Sequence, residues 1–256
     1  CGQLIDVELG RVQQNMTLVV EGDKIVAINS GFSAPGKDDR VIDLKGKTVM
    51  PGLMDMHVHI ESQSSPNSQV QRYTLNPADI AYDAQVYAER TLMAGFTTVR
   101  DLGGTGVNVS LRNAINAGKV LGPRIYTAEK TIATTGGHGD PTNGGKAELM
   151  GDPGPKEGVV NSYDEARKAI RQRYKNGADV IKITATGGVL SVAKDGQGPQ
   201  FQMDELKGIV QTAREYGFVT AAHAHGDEGM YRAVEAGINS IEHGTFMSER
   251  TMDLMI

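Results

Sequence analysis

Six histidines stand in this 256-residue chain, His57, His59, His138, His223, His225 and His243, and each falls in or just after a short run with the composition of a β-strand. None lies on an expected surface helix. Imidazole is the commonest metal ligand. In a barrel of alternating strands and helices the carboxyl ends of the strands face one cavity, where ligands distant in sequence can meet. The six imidazoles therefore read as one metal site. His57 and His59 end a strand two residues apart, and β alternation points both to one face. His223 and His243 end two later strands. Alone, the His57-x-His59 pair is equally well two solvated loop imidazoles, and His223 or His243 singly a core histidine bonded to backbone. Four imidazoles at three strand ends are harder to explain that way.

Lys182 lies inside Val180-Ile181-Lys182-Ile183-Thr184, a strand expected to be buried on both sides. Burying an ammonium costs several kcal/mol or drives its pKa down. Three readings stay open: an ion pair with a carboxylate, a Schiff-base amine attacking a carbonyl, and a carbamate formed with carbon dioxide that serves as an anionic oxygen ligand. The neighbouring histidines favour the third.

The elements that must position these groups fall into two regions. Residues 1–48 hold only short β-like runs, Leu4 to Val7, Thr17 to Val20, Lys24 to Ile28 and Val41 to Leu44, with a hairpin turn at Glu21-Gly22-Asp23-Lys24. This region is expected to be a small β-sandwich subdomain, incomplete as it stands. From residue 49 to 256 the order strand, helix, glycine, strand recurs. Helices close at Gly95, Gly118, Gly177, Gly217 and Gly237, where a left-handed cap is expected. Six strands result, ending at His57 and spanning Thr97 to Arg100, Arg124 to Thr127, Val180 to Thr184, Val219 to Ala222 and Ser240 to Glu242. Ser162 and Glu165 form the capping box of one helix, and Leu206, Ile209, Val210 and Ala213 stripe the buried face of another. The segment from Thr135 to Val159 is expected to cover the cavity mouth. The fold class is α/β, a (β/α)8 TIM-type barrel of which about six units are present. Strands seven and eight are expected beyond Ile256, and the true N-terminus upstream of Cys1.

Composition narrows the function. A net charge of −5 without a basic stripe argues against nucleic acid and anionic membranes. One cysteine, Cys1, excludes an internal disulfide and a cysteine-based zinc cluster. No apolar run approaches the roughly 20 residues that cross a bilayer. The expected partners are a small molecule or dipeptide, with a homo-oligomer as the assembly. The compartment stays open between cytoplasm and periplasm or secretion.

Five motifs carry a specific resemblance. They are Pro51-Gly52-Leu53-Met54-Asp55-Met56-His57-Val58-His59, Thr91-Leu92-Met93-Ala94-Gly95-Phe96-Thr97-Thr98-Val99-Arg100-Asp101, Ile181-Lys182-Ile183-Thr184-Ala185-Thr186-Gly187-Gly188-Val189, Ala222-His223-Ala224-His225-Gly226 and Ser240-Ile241-Glu242-His243-Gly244. The chain resembles the amidohydrolase superfamily, within it the prolidase-like and arginine carboxypeptidase-like group. The resemblance implies two divalent ions, usually zinc. His57 and His59 would bind one, His223 and His243 the other, and carbamylated Lys182 would bridge them. It further implies that His138 contacts the substrate carbonyl, that His225 recognises the terminal carboxylate, and that a strand-eight aspartate beyond Ile256 completes the site. The implied reaction is metal-dependent hydrolysis of a peptide or N-acyl amide bond, with a dipeptide as substrate.

Three other readings compete. Imidazolonepropionase, a cyclic-amide hydrolase, carries a Glu three positions after the strand-five histidine, where this chain has Gly226, and lacks the bridging lysine. A Schiff-base lyase would use Lys182 but gives the clustered histidines no task. An inactive fragment is the third.

Overall fold

The computed structural model describes residues 1–189, 191 and 195–256. They divide into two compact units, Cys1–Leu53 and Met54–Ile256. The first unit holds two small sheets. β1 (Gln3–Asp6) lies between β2 (Arg11–Gln14), antiparallel, and β5 (Thr48–Val49), parallel. β3 (Met16–Glu21) and β4 (Lys24–Ser30) form the hairpin that Glu21-Gly22-Asp23-Lys24 predicts, with Glu21 opposite Lys24 and Gly22 at φ 62°. Val41 to Leu44, expected as a strand, is not one. Val41 and Ile42 are exposed, and the Leu44 carbonyl instead accepts from the Gly2 and Lys47 amides.

The second unit carries all six strands expected for the barrel. They are β6 (Leu53–Val58, begun at the unit boundary), β7 (Phe96–Asp101), β8 (Arg124–Thr127), β9 (Val180–Thr184), β10 (Val219–Ala224) and β11 (Ser240–His243). They do not form one continuous ladder. Two three-stranded sheets result, β6-β7-β8 and β9-β10-β11, and among the described residues no sheet closes on itself. The reason lies after β8, where the chain replaces ladder pairing with point contacts: Asp179 donates its amide to the Thr127 carbonyl, and Ile132 exchanges backbone bonds with Lys182 and Thr184. β9 is buried along its whole length, as a strand packed on both faces must be.

Helices α1 (Ser68–Thr74), α2 (Pro77–Met93), α3 (Val107–Asn116), α4 (Ala147–Met150), α5 (Tyr163–Asn176), α6 (Met203–Glu215), α7 (Asp227–Ala236) and α8 (Glu249–Met255) follow or link the strands. All five expected closing glycines adopt positive φ: 99° at Gly95, 67° at Gly118, 86° at Gly177, 73° at Gly217 and 94° at Gly237. On α6 the stripe Leu206, Ile209, Val210 and Ala213 is buried against Ile170, Ile181 and Ala222 in one cluster. No helix of the described residues is long and apolar enough to cross a membrane.

At the start of α5 the Ser162 hydroxyl accepts from the Glu165 amide at 3.3 Å, while the Glu165 carboxylate reaches the Asn161 amide at 2.7 Å. The reciprocal half of the expected capping box thus lands one residue earlier, and two helix-entry amides are still satisfied. Ser162→Ala should lower stability by about 1 kcal/mol. Denaturant titration measures this; an unchanged midpoint would contradict the capping role.

Thr135 to Val159 departs from expectation. Only His138 and Gly139, near its start, line the cavity. Further on, Arg72 holds the carbonyls of Pro141 and Asn143, and Arg173 holds those of Pro155 and Lys156.

Candidate metal centre and active site

Every histidine of the sequence lines one cavity of about 840 Å³, together with Lys182 and Glu242. His57 is the penultimate residue of β6 and His59 follows the strand, so the pleat turns both inward. Their ring centroids lie 5.5 Å apart. His223 and His243 face each other from neighbouring strands at 4.8 Å, and His57 and His243 approach to 5.0 Å. His138 stacks on His223 at 4.2 Å.

Strict alternation would send Glu242 and His243 to opposite faces. His243, however, sits at φ 72°, a left-handed conformation that a non-glycine residue adopts at a cost of about 1 kcal/mol or more. Both side chains therefore reach the cavity.

The outer contacts of the rings decide which nitrogens face inward. His57 Nδ1 meets Glu242 Oε2 at 3.2 Å, and His59 Nδ1 meets the Gly103 carbonyl at 2.9 Å. His223 Nε2 meets the Gly187 carbonyl at 3.0 Å. His59 and His223 each keep the other ring nitrogen free as a donor atom, and that of His57 meets only Lys182 Nζ, the arrangement metal-ligating histidines show when a carboxylate or carbonyl holds the far side. Imidazoles with an oxygen donor suit zinc, so the residues present fit a divalent metal. His225 joins His223 and His243 in a trio that can offer one ring nitrogen each, the three within 4.8 Å of one another.

Lys182 is buried, with 3% of its surface exposed. Its Nζ lies 3.5 Å from His57 Nε2. Burial pushes the ammonium down to about 8, helped by the Arg100 charge and opposed by Glu242. Burial likewise brings His223 to about 3 against the pull of its Gly187 bond, leaving a neutral imidazole. Glu242 goes the other way. Burial works to raise its carboxyl, but hydrogen bonds from His57 and Ser240 and the charge of Arg100 override it, to about 2.

A match to the amidohydrolase family extends over residues 48–256. The chain belongs to that family. The chain is 32% identical over 261 residues to ochratoxinase of Aspergillus niger, covering 96% of this chain and 54% of that protein. It is 27% identical over 272 residues to imidazolonepropionase of Fusobacterium nucleatum, covering 91% and 58%. A crystal structure of an Xaa-Pro dipeptidase with methionine bound in its active site aligns at TM-score 0.94 and 51% identity, covering 99% of this chain and 63% of that one. A prolidase complexed with N-methylphosphonate-L-proline aligns at TM-score 0.87 and 32% identity, covering 99% and 62%. The chain thus spans less than two thirds of the length of these relatives.

Residue chemistry alone did not single out Glu242 or Arg100. Arg100, on β7, donates from Nε to the Met56 carbonyl at 2.7 Å, from Nη1 to Ser240 Oγ at 3.1 Å and from Nη2 to Glu242 Oε1 at 2.5 Å. The readable signal was a glutamate and an arginine on two strands expected to be buried, since charges there need partners.

Asp101, at the end of β7, is fully buried and props the turn after His59. It accepts from the Ile60 amide at 3.1 Å, Asn108 Nδ2 at 2.6 Å and Thr127 Oγ1 at 2.8 Å. Burial raises its carboxyl to about 6 despite these bonds. A raised folded-state pKa means the folded chain binds the proton more tightly, so stability falls as pH climbs from about 4 through 6. The upper bound is about 3 kcal/mol. Relative to Asp101→Asn, which cannot titrate, the native chain should lose about 2 kcal/mol of stability between pH 4.5 and 7.5. Denaturant titrations at both pH values give the difference; a pH-independent gap would contradict the shift.

Proposed function

We propose that the chain supplies the metal-binding part of an amide hydrolase that cuts a dipeptide or N-acyl amino acid and releases its C-terminal residue. The observation that carries this reading is the convergence of six imidazoles on one cavity with a buried lysine amine. His57 and His59 would hold one ion, His223 and His243 the other, and Lys182 as its carbamate would be shared. Two divalent ions, zinc foremost, supply Lewis acidity toward water and toward an amide carbonyl.

The chain's own groups prepare that chemistry. A Lys182 amine freed of its proton bonds to the carbon of carbon dioxide and releases one further proton to water, leaving a carbamate anion. Its lowered pKa makes the neutral amine accessible near neutrality. His138 has Nδ1 engaged by Ser191 Oγ at 2.7 Å. With the Ser191 hydroxyl as donor in that bond, Nε2–H would donate to the substrate carbonyl oxygen, where negative charge grows in the transition state. His225 is held through Nδ1 by Thr245 Oγ1 at 2.7 Å, and its Nε2–H is assigned to the terminal carboxylate. His225→Gln should raise KM roughly tenfold to a hundredfold, the worth of a charge-assisted bond, with metal content unchanged. Loss of one metal equivalent would instead place His225 among the ligands, as its closeness to His223 and His243 allows.

A cyclic-amide hydrolase is the second reading, favoured by the identity to imidazolonepropionase. Gly226 argues against it, because a Cβ there would collide with the Gln197 carbonyl and leave no room for a glutamate. A panel of Xaa-Pro and Xaa-Met dipeptides, N-acyl amino acids and an imidazolone tests the choice. Release of a free amino acid, abolished by chelator, is expected. Turnover of the imidazolone alone would favour the second reading, and borohydride trapping of substrate on Lys182 would overturn both.

A further inference from the structure

Glu242, Arg100 and Ser240 form a closed hydrogen-bond ring inside the cavity wall. Arg100 donates to both partners, Ser240 Oγ donates to Glu242 Oε1 at 2.9 Å, and the second carboxylate oxygen faces His57 Nδ1 at 3.2 Å. The ring spans β7 and β11, which belong to different sheets, and the Arg100 bond to the Met56 carbonyl ties in β6, the strand that carries His57. Glu242 and Arg100 are only 7% and 16% exposed at their side chains. A charge pair placed there with every polar atom directed is a costly arrangement for mere cohesion, since apolar residues of similar volume serve that purpose as well.

We propose that Glu242, held by Arg100 and Ser240, is a positioning residue that fixes the His57 ring with its proton on Nδ1 and its Nε2 lone pair turned toward Lys182. A carboxylate accepts only, so His57 Nδ1 must be the donor. Nε2, 3.5 Å from Lys182 Nζ, is then the sole nitrogen left to bind a cation. Arg100 and Ser240 aim the carboxylate: both bond Oε1, which leaves Oε2 for the His57 ring. The role differs from that of a ligand: Glu242 acts through His57. It rests on the metal-binding reading above and deepens it by naming what orients one ligand.

The test uses the whole chain, with nitrogen-15 NMR of the histidine rings in the metal-free protein and zinc competition against a coloured chelator in bicarbonate buffer. Native chain and Glu242→Gln are compared, with the His57 signals assigned by His57→Gln. Native His57 should show the Nδ1–H form. In Glu242→Gln that form should give way to a mixture, and one of two zinc equivalents should weaken roughly 10- to 100-fold while the other holds. A merely cohesive role would lower the melting temperature without moving the tautomer. Unchanged tautomer and unchanged zinc affinity in the variant would overturn the inference and leave the metal reading standing. No zinc uptake by the native chain would sink the metal reading and this inference with it. Should Glu242→Gln fail to fold, the native spectrum still decides, because an Nε2–H form there would overturn the assignment.

Discussion

Lys182→Ala should abolish amide hydrolysis, lowering kcat/KM on the order of a thousandfold or more, since an ion that provides several kcal/mol of transition-state stabilisation loses its shared oxygen ligand. The substitution removes an ammonium that burial already disfavours, so the folded state should persist. That separates this variant from one that merely unfolds. With carbon-13 bicarbonate, the native chain should show a carbamate carbon resonance that is missing from Lys182→Ala. Lys182→Arg is a sharper control: it keeps a cation of similar length but cannot form the carbamate, and it should be as inactive as the alanine variant. Full activity in either would remove Lys182 from the chemistry and leave it a buried structural amine.

Arg173→Ala should be the most destabilising single change away from the cavity. Arg173 has no exposed surface, and its Nη1 lies 2.8 Å from Glu129, itself 3% exposed and held at φ 63°. The same guanidinium holds the carbonyls of Lys130 at 3.4 Å, Pro155 at 3.3 Å and Lys156 at 2.6 Å. Truncation leaves a buried carboxylate uncompensated and frees the loop that leads into α5, a loss of about 3–5 kcal/mol. Arg173→Met combined with Glu129→Gln should recover part of it, because no lone charge remains buried. Denaturant midpoints measure both. Metal content per folded chain should stay constant throughout, since neither residue lines the cavity. A double variant no more stable than Arg173→Ala would contradict the account of a stranded charge.

Strand and helix order was legible because the glycine that closes each helix and the apolar run that follows it are local signals, as at Gly177 and Val180. β2 escaped notice because Arg11-Val12-Gln13-Gln14 is polar and holds its place only by pairing with Gln3 to Asp6. Val41-Ile42-Asp43-Leu44 misled for the opposite reason: its apolar side chains find no partner strand. The split into two sheets depends on a few backbone contacts around Ile132, which no periodicity announces. At the site, the six histidines and Lys182 that line the cavity were visible by type and position. The Glu242 and Arg100 ring was not, because it needs a left-handed His243 and a strand pairing that only the folded chain reveals.

Whether these imidazoles and Lys182 hold two divalent ions, as proposed, is tested most directly by elemental analysis of the chain purified without chelator in bicarbonate. About two zinc per folded chain, falling below one in Lys182→Ala, is the predicted result. A folded chain that carries no metal, with the six histidines intact, would contradict it.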